Sequence, residues 1–253
     1  MIEVRGLSKI FGDKVVLRDV SARFEPARTS LIIGASGSGK TVLMKCMVGL
    51  MQPSSGQVLY DGVVDFVSLP ESERRKIRQQ IGMLFQGSAL FDSMNVEQNV
   101  MFPLTMFTNM TLKEKLHRVN ECLERVNLSN TNRLMPSELS GGMKKRVGIA
   151  RAIVMNPRFL FCDEPNSGLD PQTAIRIDEL IREITLEYRI TTIINTHDLN
   201  SVIGIGDYVI FLYKGRKEWE GDKHTVLRSD NQALNEFVFA SRYFREIRDQ
   251  LVG

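Results

Sequence analysis

Apolar and polar residues alternate along Ile2-Glu3-Val4 and again from Val15 to Phe24, the period of a strand with one buried face. Val58-Leu59-Tyr60-Asp61-Gly62-Val63-Val64 repeats the pattern around Asp-Gly, a pair that tolerates the backbone angles of a tight hairpin turn. Ser30-Leu31-Ile32-Ile33 differs: it is a short apolar run that meets a glycine-rich stretch, and helical spacing follows from Thr41 to Leu50. A buried strand feeding a helix fits that order.

Further along, the period changes. Ser68 with Glu71, and Thr111 with Glu114, have the spacing of capping boxes and predict helices through about Gln80 and about Val126. From about Gln86 to Asn156 the pattern is mostly helical. Strand-and-helix alternation then resumes. Phe159-Leu160-Phe161-Cys162 reads as a buried strand, and Asp170-Pro171 caps and starts a helix through about Tyr188. Ile190 to Asn195 and Tyr208 to Tyr213 read as two more strands. The expected fold class is α/β, a parallel core with an inserted helical segment. The sequence contains no internal repeat and no low-complexity linker.

Composition excludes more than it adds. With 43% apolar and 25% charged residues over 253 positions, the chain is globular, neither disordered nor fibrous. A net charge of +3 is too small for a nucleic-acid footprint, and no nucleic-acid partner is expected. The basic runs Arg74-Arg75-Lys76 and Lys144-Lys145-Arg146 lie in helical pattern and read as solvated helix faces. No run of about 18 apolar residues could span a membrane, and Met1-Ile2-Glu3-Val4-Arg5 lacks the blocks of a signal peptide. Cys46, Cys122 and Cys162 are widely spaced without a CxxC pair, which predicts reduced thiols in a cytosolic protein.

Three motifs carry chemistry. Gly34-Ala35-Ser36-Gly37-Ser38-Gly39-Lys40-Thr41 matches GxxxxGK[ST], with a strand before it and a helix after it. Its glycines let backbone N–H groups turn inward around phosphate oxygens at the positive end of a helix. Lys40 would meet the β- and γ-phosphates, and the Thr41 hydroxyl Mg²⁺. Second, the strand Phe159-Leu160-Phe161-Cys162 ends in Asp163-Glu164, two carboxylates that need a cation or water. Beside a phosphate loop, Asp163 would hold Mg²⁺ and Glu164 would polarise the attacking water; a solvated strand-end pair is the plainer reading. Third, Leu139-Ser140-Gly141-Gly142-Met143 opens a helix with a hydroxyl and flexible amides, a second anion site.

Together the three motifs resemble an ATP-binding cassette (ABC) ATPase over nearly the whole chain. The resemblance implies a P-loop ABC nucleotide-binding domain at 1–225 with an N-terminal antiparallel β subdomain and a helical subdomain at about 87–156. A C-terminal helical extension would occupy 226–253. It implies ATP and Mg²⁺ as ligands and a homodimer of ATPase subunits packed head to tail. Ser140, Gly141 and Gly142 of one copy would face the nucleotide held by Gly34 to Val42 of the other. Phe11 resembles the aromatic that stacks on adenine, with core packing as the alternative. Gln86 resembles the glutamine that touches Mg²⁺ and the attacking water, and Ser167-Gly168-Leu169-Asp170 the loop at the dimer seam. His197 resembles the switch histidine at the γ-phosphate. Lys40, Mg²⁺, Ser140 and Gly142 would neutralise charge, while Glu164 and His197 align the water.

A single cassette without a membrane span suggests a motor docked on an integral-membrane permease. Soluble ABC proteins acting on ribosomes or DNA usually carry two cassettes, a long coiled coil or marked basic character. A P-loop GTPase would need an NKxD tetrapeptide, which is absent. Met143 stands where most importers carry Gln. With Ala89-Leu90-Phe91-Asp92-Ser93-Met94-Asn95-Val96 it resembles the Mla-type phospholipid transport ATPases, which work with a permease and an MCE-type lipid-binding protein at the cytoplasmic face of the inner membrane. Amino-acid or other small-solute importers are the alternative, because their ATPases share most of this pattern. Asn166, where many relatives have Thr or Ser, reads as neutral.

Two apolar segments remain. The uncharged stretch Gln98 to Leu112 holds Met101, Phe102, Pro103, Met106, Phe107 and Met110, and predicts part core and part docking groove for a permease helix. Ala233, Phe237, Ala240, Phe244, Ile247 and Leu251 form a stripe at helical spacing, with Phe239 and Tyr243 off it. The second apolar side suggests a surface for the sister subunit or a small regulatory subunit.

Overall fold

The computed structural model describes residues 1–240. In chain order the elements are β1 (Ile2–Phe11), β2 (Lys14–Phe24), β3 (Arg28–Ile33), α1 (Lys40–Met47), β4 (Ser55–Tyr60), β5 (Val64–Asp65), α2 (Glu71–Arg78), β6 (Ile81–Leu84), α3 (Val96–Phe107) and α4 (Leu112–Arg125). Then come α5 (Gly141–Ile153), β7 (Phe159–Asp163), α6 (Pro171–Glu187), β8 (Thr191–Thr196), α7 (Leu199–Ile205), β9 (Tyr208–Tyr213), β10 (Arg216–Gly221) and α8 (Gln232–Val238). The chain divides into two compact units, one of residues 1–25, 29–69 and from 195 onward, the other of 26–28 and 70–194.

In the first unit an antiparallel sheet runs β2-β1-β4-β5. Ile2 pairs with Phe24 on one side and Tyr60 on the other, so alternate side chains from three strands fill one buried layer. The hairpin read at Asp61-Gly62 is present, with φ of 55° and 76° at its two turn residues. The buried Tyr60 hydroxyl donates to the Met47 carbonyl at 2.9 Å, which seats α1 on this sheet without an orphaned polar group. The strands β10-β9-β3 follow, β9 parallel to β3 and antiparallel to β10. Leu31, Ile32 and Ile33 are fully buried, as their continuous apolar run predicts.

The buried face of α8 is not the predicted stripe. Leu234 and Val238 point inward, Ala233 and Phe237 are half-buried, and Ala240 is exposed. The Phe237 ring meets Phe211 of β9 at 5.4 Å between centroids, and Phe239, expected on a second free side, is itself buried. Docking on β9 sets the face, and spacing alone could not supply it. Phe244, Ile247, Leu251 and Tyr243 lie outside the described residues.

In the second unit the strand order is β8-β7-β6, with β6 and β7 parallel and Leu84 level with Cys162. Every residue of β7 is buried. Around these strands stand α3, α4, α5 and α6. Thr111 and Glu114 form the predicted capping box of α4, and Asp170 caps α6 by accepting from the Thr173 amide at 3.0 Å. Asn95 and Gln98 make a further box at the start of α3. The box read at Ser68 and Glu71 does not form. Pro70 occupies the N-cap with extended angles and no side-chain cap bond, and the Ser68 hydroxyl donates to Asp65 instead. Among the described residues no helix is long and apolar enough to cross a membrane.

Candidate nucleotide site

The first unit holds the phosphate loop. Ala35, Ser36 and Gly37 form its exposed crest, while Gly34, Ser38, Gly39 and Lys40 are buried. Thr41 and Val42 are half-buried in the first turn of α1. At Gly34, with φ of 149°, a Cβ would lie 2.3 Å from the Leu212 carbonyl oxygen and 2.7 Å from the Ser38 hydroxyl, so only glycine fits. The N-cap of α1 is Gly39, which has no side chain to satisfy the helix's first amides. Lys40 Nζ donates to the carbonyls of Gly34 at 2.7 Å and Ala35 at 3.2 Å, which holds the ammonium inside the curl of the loop. The Ser38 hydroxyl is buried without a hydrogen-bond partner among the described residues. Uncapped amides, an ammonium and an orphaned hydroxyl in one loop suit a phosphate-sized anion.

Two other predicted residues belong to this unit. Phe11 ends β1 with 45% of its surface exposed and Lys9 Nζ 4.9 Å from its ring centroid, so it is not a core residue. His197 is exposed just after β8, before the α7 N-cap Asp198, which itself donates its amide to Thr196 Oγ1 at 3.0 Å.

The second unit holds the carboxylates, the glutamine and the Ser-Gly-Gly turn. Asp163 ends β7 and is buried; Glu164 follows it at φ 50°, a left-handed conformation unusual for a glutamate. The chain then turns tightly, the Ser167 amide donating to the Glu164 carbonyl and the Leu169 amide to Asn166. Gln86 is exposed beyond β6. Ser140 is the N-cap of α5 and accepts from the Met143 amide at 3.3 Å, with Gly141 and Gly142 as the first residues of the helix.

A sequence profile of the ABC transporter family matches residues 17–167. The chain belongs to the ABC transporter family. It is 37% identical over 241 residues to the probable ribonucleotide transport ATP-binding protein mkl of Mycobacterium leprae, spanning 95% of this chain and 69% of that protein. It is 41% identical over 254 residues to the methionine import ATP-binding protein MetN of Corynebacterium jeikeium, 99% of this chain and 68% of that one. Among solved structures, the dimeric post-hydrolysis state of the ATP-binding cassette MJ0796 bound to ADP and Pi superposes with a TM-score of 0.80 at 30% identity, covering 88% of this chain and 99% of that one. CbiO1 from Clostridium perfringens, part of the ABC transporter complex cbiONQ, gives 0.84 at 29% identity, covering 100% and 98%. The protein is therefore an ABC cassette of P-loop fold, an ATP-binding and ATP-hydrolysing transporter subunit.

Several structurally engaged residues of the cassette lie outside the reading its motifs give. Lys145, read as part of a solvated basic face, is only 4% exposed; Lys144 and Arg146 beside it are half-buried. Its ammonium donates to the carbonyls of Gln86 and Glu164. One helical face further along, Arg151 donates to the carbonyls of Ser88 at 2.6 Å and Ala89 at 2.8 Å. Burial pushes both cations' pKa values down, for Lys145 against the pull of Cys162, Glu164 and Asp163. Asn166, neutral as to substrate, has a structural partner: its amide donates to the buried Asp178 carboxylate of α6. A signal existed in Lys145, Gly148 and Arg151, which recur every third residue on one side of α5.

Proposed function

We propose that this cassette drives phospholipid transport between membranes through a separate integral permease, working as a homodimer with an MCE-type lipid-binding protein. The observation that carries the lipid reading is Met143 in the Ser-Gly-Gly turn, together with the Ala89–Val96 segment after Gln86. The dimer reading draws on the resemblance to a cassette whose solved structure is dimeric, and the permease reading on one that is part of a transporter complex. A permease places the chain peripherally at the cytoplasmic face of the inner membrane. A second reading, amino-acid import, is favoured by the 41% identity to a methionine import protein.

In this reading Lys40 and the α1 amides neutralise the phosphates, Phe11 stacks on adenine, and Ser140, Gly141 and Gly142 of the sister copy face the γ-phosphate. Thr41, Asp163 and Gln86 would hold Mg²⁺; a hydroxyl, a carboxylate and an amide oxygen are the hard donors that ion takes. When bound, the ion supplies charge neutralisation at the phosphates. Glu164 accepts a proton from the attacking water as it orients it, and His197 steadies the γ-phosphate. The protein makes no covalent bond; it positions and neutralises.

A groove of the second unit supports permease docking. Phe85, Phe91, Phe102, Pro103, Phe107 and Met155 line a cleft of about 270 Å³ beside β6 and α3. Met106, also expected there, is exposed but does not line it. Apolar, aromatic and methionine side chains in an open cleft suit a short amphipathic helix.

The test is purification of the tagged chain from native membranes in mild detergent, with identification of proteins and lipids together. A stoichiometric multi-span permease with an MCE-type protein and phospholipid supports the reading. A permease with a small-solute binding protein moves the assignment to import.

A further inference from the structure

A buried lysine needs a reason, because its ammonium loses hydration that apolar surroundings do not return. Lys145 lies in the second turn of α5, where methionine or leucine would pack without that penalty. Among the described residues its ammonium meets no carboxylate side chain at hydrogen-bond range. It donates to two main-chain carbonyls, of Gln86 and of Glu164, the latter at 3.2 Å. These carbonyls belong to two separate loops, one leaving β6 and the other leaving β7.

Both loops hold backbone conformations that side-chain-bearing residues avoid. Glu164 sits at φ 50°, and Ser88 and Ala89 at 62° and 45°. Such angles persist only where surrounding contacts fix them. The α5 face supplies those contacts, with Lys145 at one end and Arg151 at the other. Between them Gly148 lies against β6, where an added Cβ would come within 2.6 Å of Leu84 Cδ1, so α5 and β6 are closely packed at this point.

We propose that Lys145 is a positioning residue for hydrolysis, clamping the Gln86 loop and the Glu164 backbone into one frame so that a displacement of the first moves the second. This rests on the roles given above to Glu164 and Gln86. Lys145 itself has no contact with nucleotide or attacking water in this role. Its effect on rate is transmitted through the placing of the Glu164 carboxylate, which a displacement of about 1 Å can weaken by on the order of 10²-fold.

The experiment compares Lys145→Met, Lys145→Gln and Lys145→Arg with wild type and with Glu164→Gln in the full-length chain. It reads kcat, KM for ATP, equilibrium ATP binding and melting temperature. The expected result for Lys145→Met is a kcat lower by about 10- to 100-fold, with KM and ATP affinity within about twofold. Its melting temperature should fall by no more than about 4 °C. Lys145→Arg, which keeps a cationic donor, should recover most of the rate, and Lys145→Gln should lie between. A Lys145→Met kcat within twofold of wild type overturns the proposal, as does a fall shared equally by the Arg variant. Should Lys145→Met not fold, Lys145→Gln is judged on the same criterion; failure of both to fold makes Lys145 a stability element and also overturns it. Wild-type turnover by Glu164→Gln would instead overturn the reading of the site on which the proposal stands.

Discussion

Asn166 Nδ2 donates to Asp178 Oδ1 at 2.8 Å, tying the turn that follows Glu164 to the interior of α6. Asp178 is 6% exposed, so its carboxylate depends on such donors. Asn166→Ala removes one of them while leaving the buried charge. It should cost about 1–3 kcal/mol of stability, and Asp178→Asn, which sheds the charge and keeps an acceptor, should cost less. Urea unfolding of the two variants checks the order. Equal losses would mean the pair matters only as packing.

Glu164→Gln keeps the size and hydrogen-bonding reach of the side chain but cannot take a proton. ATP binding should persist and the ATP-bound dimer should accumulate on size exclusion, while hydrolysis falls by at least about 10²-fold. Steady-state phosphate release alongside nucleotide binding measures both.

Much of this architecture follows from local signals. The alternation in β1 and β2, the Asp-Gly hairpin, the Thr111–Glu114 box and the phosphate loop are each specified by residues within one turn or strand, so the sequence displays them directly. What it hides depends on distant partners. Pro70 overrides the Ser68 signal, and β9 chooses the face of α8. Lys145 looks solvated because nothing in a basic triplet reveals that a loop after β6 will cover it. Asn99 is hidden for the same reason: fully buried in an uncharged stretch, it pairs with the Phe91 amide and with the carbonyls of Phe91, Met94 and Asn95.

Phe102 and Phe107 line the second-unit groove from α3, and the Phe102 ring meets Phe91 at 4.8 Å between centroids. Phe107 is 44% exposed, so a charge there disturbs the cleft more than the fold. Phe107→Glu should fold and bind ATP like wild type yet recover little permease in a pull-down. Undiminished permease recovery would remove the groove from the docking surface.

The cysteines are buried and free. Burial pushes the Cys46 and Cys122 thiols up to about 11, and raises Cys162 further. At pH 8 about a thousandth of a thiol with such a pKa is thiolate. The native protein should therefore resist iodoacetamide, with Cys46, Cys122 and Cys162 all labelled only after denaturation. Mass spectrometry of native and unfolded samples decides it, and rapid native labelling of any of the three would contradict the burial.

On the proposed reading, ATP hydrolysis at Glu164 powers phospholipid movement. Its most direct measurement is lipid transfer by the native transporter complex reconstituted in liposomes, with wild-type or Glu164→Gln cassette. The expected result is ATP-dependent transfer of labelled phospholipid that the variant abolishes. Transfer unaffected by the variant, or ATP-driven uptake of an amino acid with no lipid transfer, would contradict it.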